Sequence, residues 1–154
     1  MKRLLVLLAV LAVGAPLAVW VSGAGAHGSA AHAVRTVHVV EHAVTDSVSK
    51  STQADTPGNV LTFTNPVYDA ADKKKVGSDS GFCVRTAKEV WWECLWTTVL
   101  RAGQLTVEGL FSDTGNTVLA ITGGTGAYSN ARGSMNLNYH NKKGTKFDFI
   151  FHIT

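Results

Sequence analysis

The sequence predicts an all-β protein: an eight-stranded antiparallel up-and-down barrel that follows an N-terminal signal segment. Three observations carry this. Apolar and polar residues alternate with period two in eight segments, short turns rich in Gly, Asn, Asp or Lys separate most of them, and no convincing amphipathic helix intervenes. Strands that follow one another without crossover helices are most simply satisfied by a meander closed on itself, because closure removes exposed edges. An open two-sheet sandwich is the alternative the same pattern allows.

The elements run in the following order. Met1, Lys2 and Arg3 precede an apolar run from Leu4 to Trp20, and Ala24, Gly25 and Ala26 then form a small-x-small cleavage signature. Residues 1–26 therefore read as a signal peptide and place the protein in a secreted, extracellular setting. The competing reading is an uncleaved anchor, since the run is only slightly shorter than the ~20 residues that span a bilayer. Residues 27–33 read as a flexible segment and residues 34–154 as the barrel domain. The strand segments are TVHVVEHAV from Thr36, NVLTFTN from Asn59, SGFCVRT from Ser80, VWWECLWTTVL from Val90, QLTVEGLF from Gln104, TVLAIT from Thr117, SMNLNYH from Ser134 and KFDFIFHI from Lys146. The polar stretch from Asp46 to Gly58, which ends in Pro-Gly, reads as a flexible connection.

Length and charge bound the function. A chain of 154 residues with 45% apolar and 16% charged residues suits one globular domain. Removing residues 1–26 takes away Lys2 and Arg3, so the formal charge falls from +3 (14 minus 11) to +1 (12 minus 11). That leaves no electrostatic footprint for nucleic acid.

Two cysteines, Cys83 and Cys94, form an even count that favours a disulfide in an oxidising compartment. If Lys88 and Glu89 make a two-residue hairpin turn, positions summing to 177 face each other, and 83 plus 94 meets that condition. The bond would contribute ~3 kcal/mol in the chain-entropy view. A pair of buried free thiols is the alternative.

The stretch ITGGTGAYSNARG, from Ile121, carries four glycines yet fits no phosphate loop. Tyr128 stands where a Walker loop needs glycine, Ser129 stands where the dinucleotide fingerprint needs its third, and the residues that follow alternate like a strand. These glycines read as positive-φ residues in a barrel corner.

Taken together, LTFTNPVYDAADKKKVGSDSGFCV, GQLTVEGLF and VLAITGGTGAYSNARG resemble the allene oxide cyclases and, more distantly, the plant dirigent proteins that share their barrel. The chain is most similar to small secreted bacterial members, and the family's barrel is eight-stranded. The resemblance implies a cofactor-free isomerase or cyclase that folds a hydrophobic small molecule inside the barrel, and a homotrimeric assembly. By the same resemblance Asn65 matches the asparagine that holds a catalytic water, Glu41 matches the catalytic glutamate through a weaker alignment, Cys83 matches a pocket cysteine, and Leu61 and Phe63 match apolar walls. The pocket tyrosine of the cyclases falls at Phe111, and the asparagine near their glutamate falls at Ala43.

Alternation also identifies the interior directly, since every second residue of a barrel strand points inward. Val37, Val39, Glu41 and Ala43 share one side of the first strand, Leu61, Phe63 and Asn65 one side of the second, and Gly81, Cys83 and Arg85 one side of the third. Trp92, Cys94, Trp96, Thr98 and Leu100 follow on the fourth, and Leu105, Val107, Gly109 and Phe111 on the fifth. Val118, Ala120, Met135, Leu137, Tyr139, Phe147, Phe149 and Phe151 complete the expected lining.

Such a lumen suits one hydrophobic ligand, or is simply filled by its own side chains. The expected site is Glu41 and Asn65 as catalytic residues, with Leu61, Phe63, Cys83, Arg85, Trp96 and Phe111 binding the ligand. Glu41 in an apolar row should have a raised pKa. Arg85 would grip a ligand carboxylate, pair with Glu41, or close a salt bridge at the barrel mouth. No cofactor is implied, and no metal: His27 and His32 lie in the flexible segment, while His38 and His42 stand ~13 Å apart on a strand. The Lys73, Lys74, Lys75 run reads as a solvated turn. A non-catalytic dirigent-like carrier and a cell-envelope domain with a filled barrel remain as alternative functions.

Overall fold

The computed structural model describes residues 34–49 and 55–154; the signal segment and residues 27–33 lie outside the described residues. Among the described residues nine strands follow in order: β1 Arg35–His42, β2 Ser47–Val48, β3 Val60–Asp69, β4 Lys75–Ala87, β5 Trp91–Leu100, β6 Gly103–Ser112, β7 Thr117–Gly124, β8 Gly133–Tyr139 and β9 Lys146–Ile153. From β3 to β9 each pairs antiparallel with the next, β9 pairs with β1, and β1 pairs with β3. The eight long strands therefore close into an up-and-down barrel, and the open sandwich is excluded. Among the described residues no helix is long and apolar enough to cross a membrane.

All eight alternating segments are strands, but four details depart from expectation. The polar connection from Asp46 is not wholly irregular. Ser47 and Val48 pair with Thr62 and Leu61 at one end of β3, while Glu41 and Val39 pair with Val67 and Asp69 at the other. β1 and β2 thus act as one strand interrupted at residues 43–46; two paired residues are too few to give an alternation signal. Second, β3 and β4 run on through NPVYD and KVGSD, so that Lys75 is in a strand while Lys73 and Lys74 stay in the turn.

Third, the β4–β5 turn has three residues, not two. Glu89 takes a φ of 57°, and a bulge at Thr86 absorbs the extra residue, so the register of Cys83 opposite Cys94 is kept. The two cysteines are bonded. Fourth, Val118 and Ala120 face outward, and Leu119 and Ile121 fill the interior instead. Both faces of TVLAIT are apolar, so alternation does not orient it; the bulkier pair goes inside, where more area is removed from water.

The glycine-rich stretch is a corner. It holds only a three-residue 3₁₀ turn, Gly126–Tyr128, so no helix N-terminus faces a ligand. Gly126 and Gly133 have φ of 59° and 126°, and a Cβ on Gly133 would sit 2.0 Å from the His152 carbonyl oxygen.

The barrel is packed unevenly. Leu105, Val107, Leu119, Met135 and Phe151, all at most 1% exposed, fill one layer of the interior. The half that carries the β4–β5, β6–β7 and β8–β9 turns encloses an aromatic hollow, while a pocket of about 480 Å³ beside Val37, Val39, Leu100 and Tyr128 opens at the opposite end.

Candidate functional site

The aromatic hollow is a cavity of about 470 Å³. Its wall is largely aromatic: Phe63, Trp92, Trp96, Phe111, Tyr139, Phe147 and Phe149 line it, with Leu61, Leu137 and the Cys83–Cys94 bridge between them. The rings hold one another in edge and tilted contacts, Trp96 with Phe149 at 5.4 Å and Tyr139 with Phe147 at 4.9 Å between centroids. Such pairs contribute ~0.5–1.5 kcal/mol each beyond the area they bury. The Nε1–H of Trp96 is buried and has no hydrogen-bond partner among the described residues.

Glu41 supplies the carboxylate of the wall. Its strand, RTVHVVEH, turns it inward between apolar neighbours, and its pair partner on β9 is Phe147. Asn65 Nδ2 donates to Glu41 Oε1 at 2.7 Å and also to Asp46 Oδ1 at 2.7 Å. Asn65 Oδ1 accepts from the backbone N–H of Val44 and Thr45 at 3.0 and 2.9 Å. One amide thus clasps the interruption between β1 and β2. Thr45 Oγ1 completes the clasp by accepting from the Thr64 N–H at 2.8 Å, a donor left without a ladder partner where β1 leaves β3.

Burial, partly offset by the Asn65 hydrogen bond and reinforced by the nearby Asp46 charge, pushes Glu41 up to about 7. A second carboxyl lies deeper. Asp79 is fully buried, within hydrogen-bond reach of Glu41, and is pushed up to about 9 by burial and then by the Glu41 charge.

Arg85 settles at the mouth. Its guanidinium pairs with Asp55 through Nε and Asp113 through Nη1, and lies 3.8 Å from the centre of the Trp92 ring. Asp113 also accepts the Trp92 Nε1–H at 3.0 Å. Two aspartates therefore neutralise the cation; it does not pair with Glu41, and its charge is not free for a ligand carboxylate. Lys142 and Lys143, on the β8–β9 turn, complete the rim. Tyr139 donates its hydroxyl to the Ser112 carbonyl at 2.9 Å and stacks near Phe111, which puts a phenol beside the position where the cyclase pattern has its tyrosine.

Seven of the eight residues expected to form the site, Glu41, Leu61, Phe63, Cys83, Arg85, Trp96 and Phe111, line this one cavity. Asn65 is set back from its surface, held between Glu41 and Asp46. Sequence reasoning missed Asp79, Asp46 and Asp113. Asp79 lies on β4 two residues before Gly81, on the inward face already recognised, and extending that alternation backward would have found it. Asp46 and Asp113 sit in connections, where no periodicity operates.

Outside the barrel, His38 and His140 bond Asp148, and His42 and Lys146 bond Asp72. Among the described residues no group of His, Cys, Asp and Glu is arranged to hold a metal ion.

Comparison with known proteins agrees with this architecture. The profile of the family described as dirigent-like protein matches residues 24–154. Among solved structures, pyocyanin demethylase is similar at 23% identity over 76% of this chain and 100% of its own, with a TM-score of 0.62. A pterocarpan synthase dirigent protein is similar at 18% identity over 79% and 86% of the two chains, with a TM-score of 0.66. An exo-specific intermolecular Diels-Alderase is similar at 13% identity over 79% and 98%, with a TM-score of 0.62. At these identities the likeness is one of fold. No curated protein matches the chain.

Proposed function

Since the chain belongs to the dirigent-like protein family, we propose that its barrel takes up one hydrophobic small molecule and fixes its conformation for a cofactor-free isomerisation or ring closure. The observation that carries this reading is the aromatic cavity of about 470 Å³ with the Glu41 carboxyl in its wall. That volume falls in the range of small-molecule sites. A carboxylate against an apolar wall acts strongly on positive charge that develops in a bound molecule, because little water screens it. Similar barrels named as a pyocyanin demethylase, a pterocarpan synthase dirigent protein and a Diels-Alderase support a reading in which this fold hosts small-molecule chemistry. The Cys83–Cys94 bond fits an oxidising, extracytoplasmic setting.

A specific observation favours a second reading, in which the protein steers a ligand without bond chemistry. Both Nδ2 hydrogens of Asn65 are committed to carboxylates, so this side chain does not hold a water toward the cavity as the cyclase pattern implies.

Trp92 and Trp96 report directly on the cavity. Titration with hydrophobic polyenes, polyunsaturated epoxides and polycyclic aromatics should quench their fluorescence saturably, and Trp96→Ala should weaken binding by about tenfold or more. Product analysis then separates the readings: turnover reduced by Glu41→Gln supports the isomerase, and binding without product supports steering. Absence of saturable binding across these classes would overturn both.

A further inference from the structure

The group that the proposed function leaves unused is Asp79. It is sealed from solvent, and neither of its oxygens has an aligned hydrogen-bond partner among the described residues. Thr98, directly opposite it on β5, has a buried hydroxyl that is likewise unpartnered. Asp79 stands opposite Asn65 in the β3–β4 ladder, and the Asn65 amide holds Glu41, so the two carboxyls are neighbours, with the backbone N–H groups of Asn65 and of Asp79 itself beside the Asp79 carboxyl. Two ionised carboxylates offer only acceptors, so they cannot bond each other, and placing both in a dry barrel wall is costly. One proton between them turns the same geometry into a strong hydrogen bond. The choice of carrier follows from position: Asp79 lies in the sealed interior, whereas Glu41 reaches the cavity and receives the charge-stabilising Asn65 N–H.

We propose that Asp79 is held as a neutral carboxylic acid that donates its hydrogen bond to Glu41, so that with Asn65 it positions an anionic Glu41 against the cavity. Asp79 is a positioning residue; it does not touch the ligand. The consequence for the site is a preference for ligands that present a hydrogen-bond donor at the Glu41 end. That consequence rests on the cavity reading above, whereas the Asp79 assignment does not.

The charged groups around the pair are few. Asp46, on the connection after β1, shares the Asn65 amide and disfavours charge on Glu41. From β9 the neighbour is Phe147. At the rim Arg85 is bound by Asp55 and Asp113, and Lys142 and Lys143 sit on the β8–β9 turn.

Carboxyl NMR on protein labelled at its glutamates, of which there are four, follows Glu41 directly in the ligand-free protein. In the wild type Glu41 should titrate near neutral pH. Asp79→Asn keeps a neutral donor of the same shape, so the Glu41 midpoint should stay within about half a pH unit. If Asp79 were instead ionised, the same substitution would remove a neighbouring negative charge and lower the midpoint by more than one unit, which would overturn the assignment. Asp79→Val removes the donor and should raise the midpoint; should that variant not fold, the wild type and Asp79→Asn still decide. For the ligand preference, calorimetry compares 2-naphthol with 2-methoxynaphthalene, which lacks the donor. The naphthol should bind about tenfold tighter at pH 8, and that advantage should shrink at pH 5, where Glu41 is neutral. Equal affinities at both pH values would sink the preference. If neither compound nor any other hydrophobic probe binds, the cavity reading fails while the NMR result still stands for Asp79.

Discussion

Replacing Asn65 by alanine tests whether one amide fastens the broken strand. The substitution removes the acceptor of the Val44 and Thr45 N–H groups, at 3.0 and 2.9 Å, and the donors to Glu41 and Asp46, both at 2.7 Å. A buried backbone donor left without a partner costs ~1–3 kcal/mol, and a hydrogen bond to a charged group contributes ~1.5–3 kcal/mol. Val44 and Thr45 are exposed residues, so water reaches their N–H groups and the low end applies to them. The Glu41 bond is buried and takes its full value. The expected loss is ~3.5–5 kcal/mol, a large part of the ~5–15 kcal/mol that holds a typical domain together. For a barrel of this size that lowers Tm by ~15 °C. Thermal and denaturant unfolding followed by circular dichroism measure it, and amide exchange at Val44 and Thr45 localises it. Asn65→Asp sharpens the test, since it keeps the acceptor and sets a third carboxylate beside Glu41 and Asp46. Its loss should therefore be greater at pH 8 than at pH 5. An Asn65→Ala variant within ~1 kcal/mol of the wild type, with unchanged exchange at Val44 and Thr45, would refute the clasp.

Three further outcomes follow from the same structure. Glu41 and Asp79 are both raised in the folded state, so folding takes up protons between their ordinary carboxylate values near 4 and their folded values of about 7 and about 9. Stability should therefore fall as pH rises through that window, with a slope that Glu41→Gln flattens; a stability that rose from pH 5 to pH 8, with no compensating change in that variant, would contradict the burial argument. Reducing the Cys83–Cys94 bond, whose cysteines are 11 residues apart, should cost ~3 kcal/mol in denaturant unfolding. Finally, Gly133→Ala meets the His152 carbonyl oxygen and a φ of 126°, whereas a Cβ on Gly123 meets open space. Expression and Tm should drop sharply for the first and stay near wild type for the second.

The barrel was legible because its signal is redundant. Eight alternating segments had to meet eight positions, and the cysteine pair fixed one register independently, so a wrong turn length at Lys88 and Glu89 did no harm: the bulge at Thr86 restored the pairing. Orientation failed only at TVLAIT, where both faces are apolar. The cavity wall was likewise readable, since inward positions follow from parity alone. What parity does not carry is the interaction of side chains far apart in the chain. Arg85 finds Asp55 and Asp113 across 30 and 28 residues, and both partners sit in connections. Asn65 was singled out by resemblance, but its use as a clasp depends on where residues 43–46 leave the sheet, which is a property of the closed barrel.

The distribution of these fastenings bears on how the aromatic cavity stays open. The filled layer is held by packing, with Leu105, Met135 and Phe151 fully buried. The cavity forgoes that contact, and the dispersion and transfer energy it would supply. The disulfide, the Arg85–Asp55–Asp113 cluster and the Asn65 clasp all border it. Each ties strands or connections by bonds that leave the lumen empty: a covalent link between β4 and β5, charge pairs from β4 to two connections, and an amide from β3 to the break between β1 and β2. Held at its rim, this barrel keeps an apolar space open beside the Glu41 carboxyl, the space on which the proposed function depends.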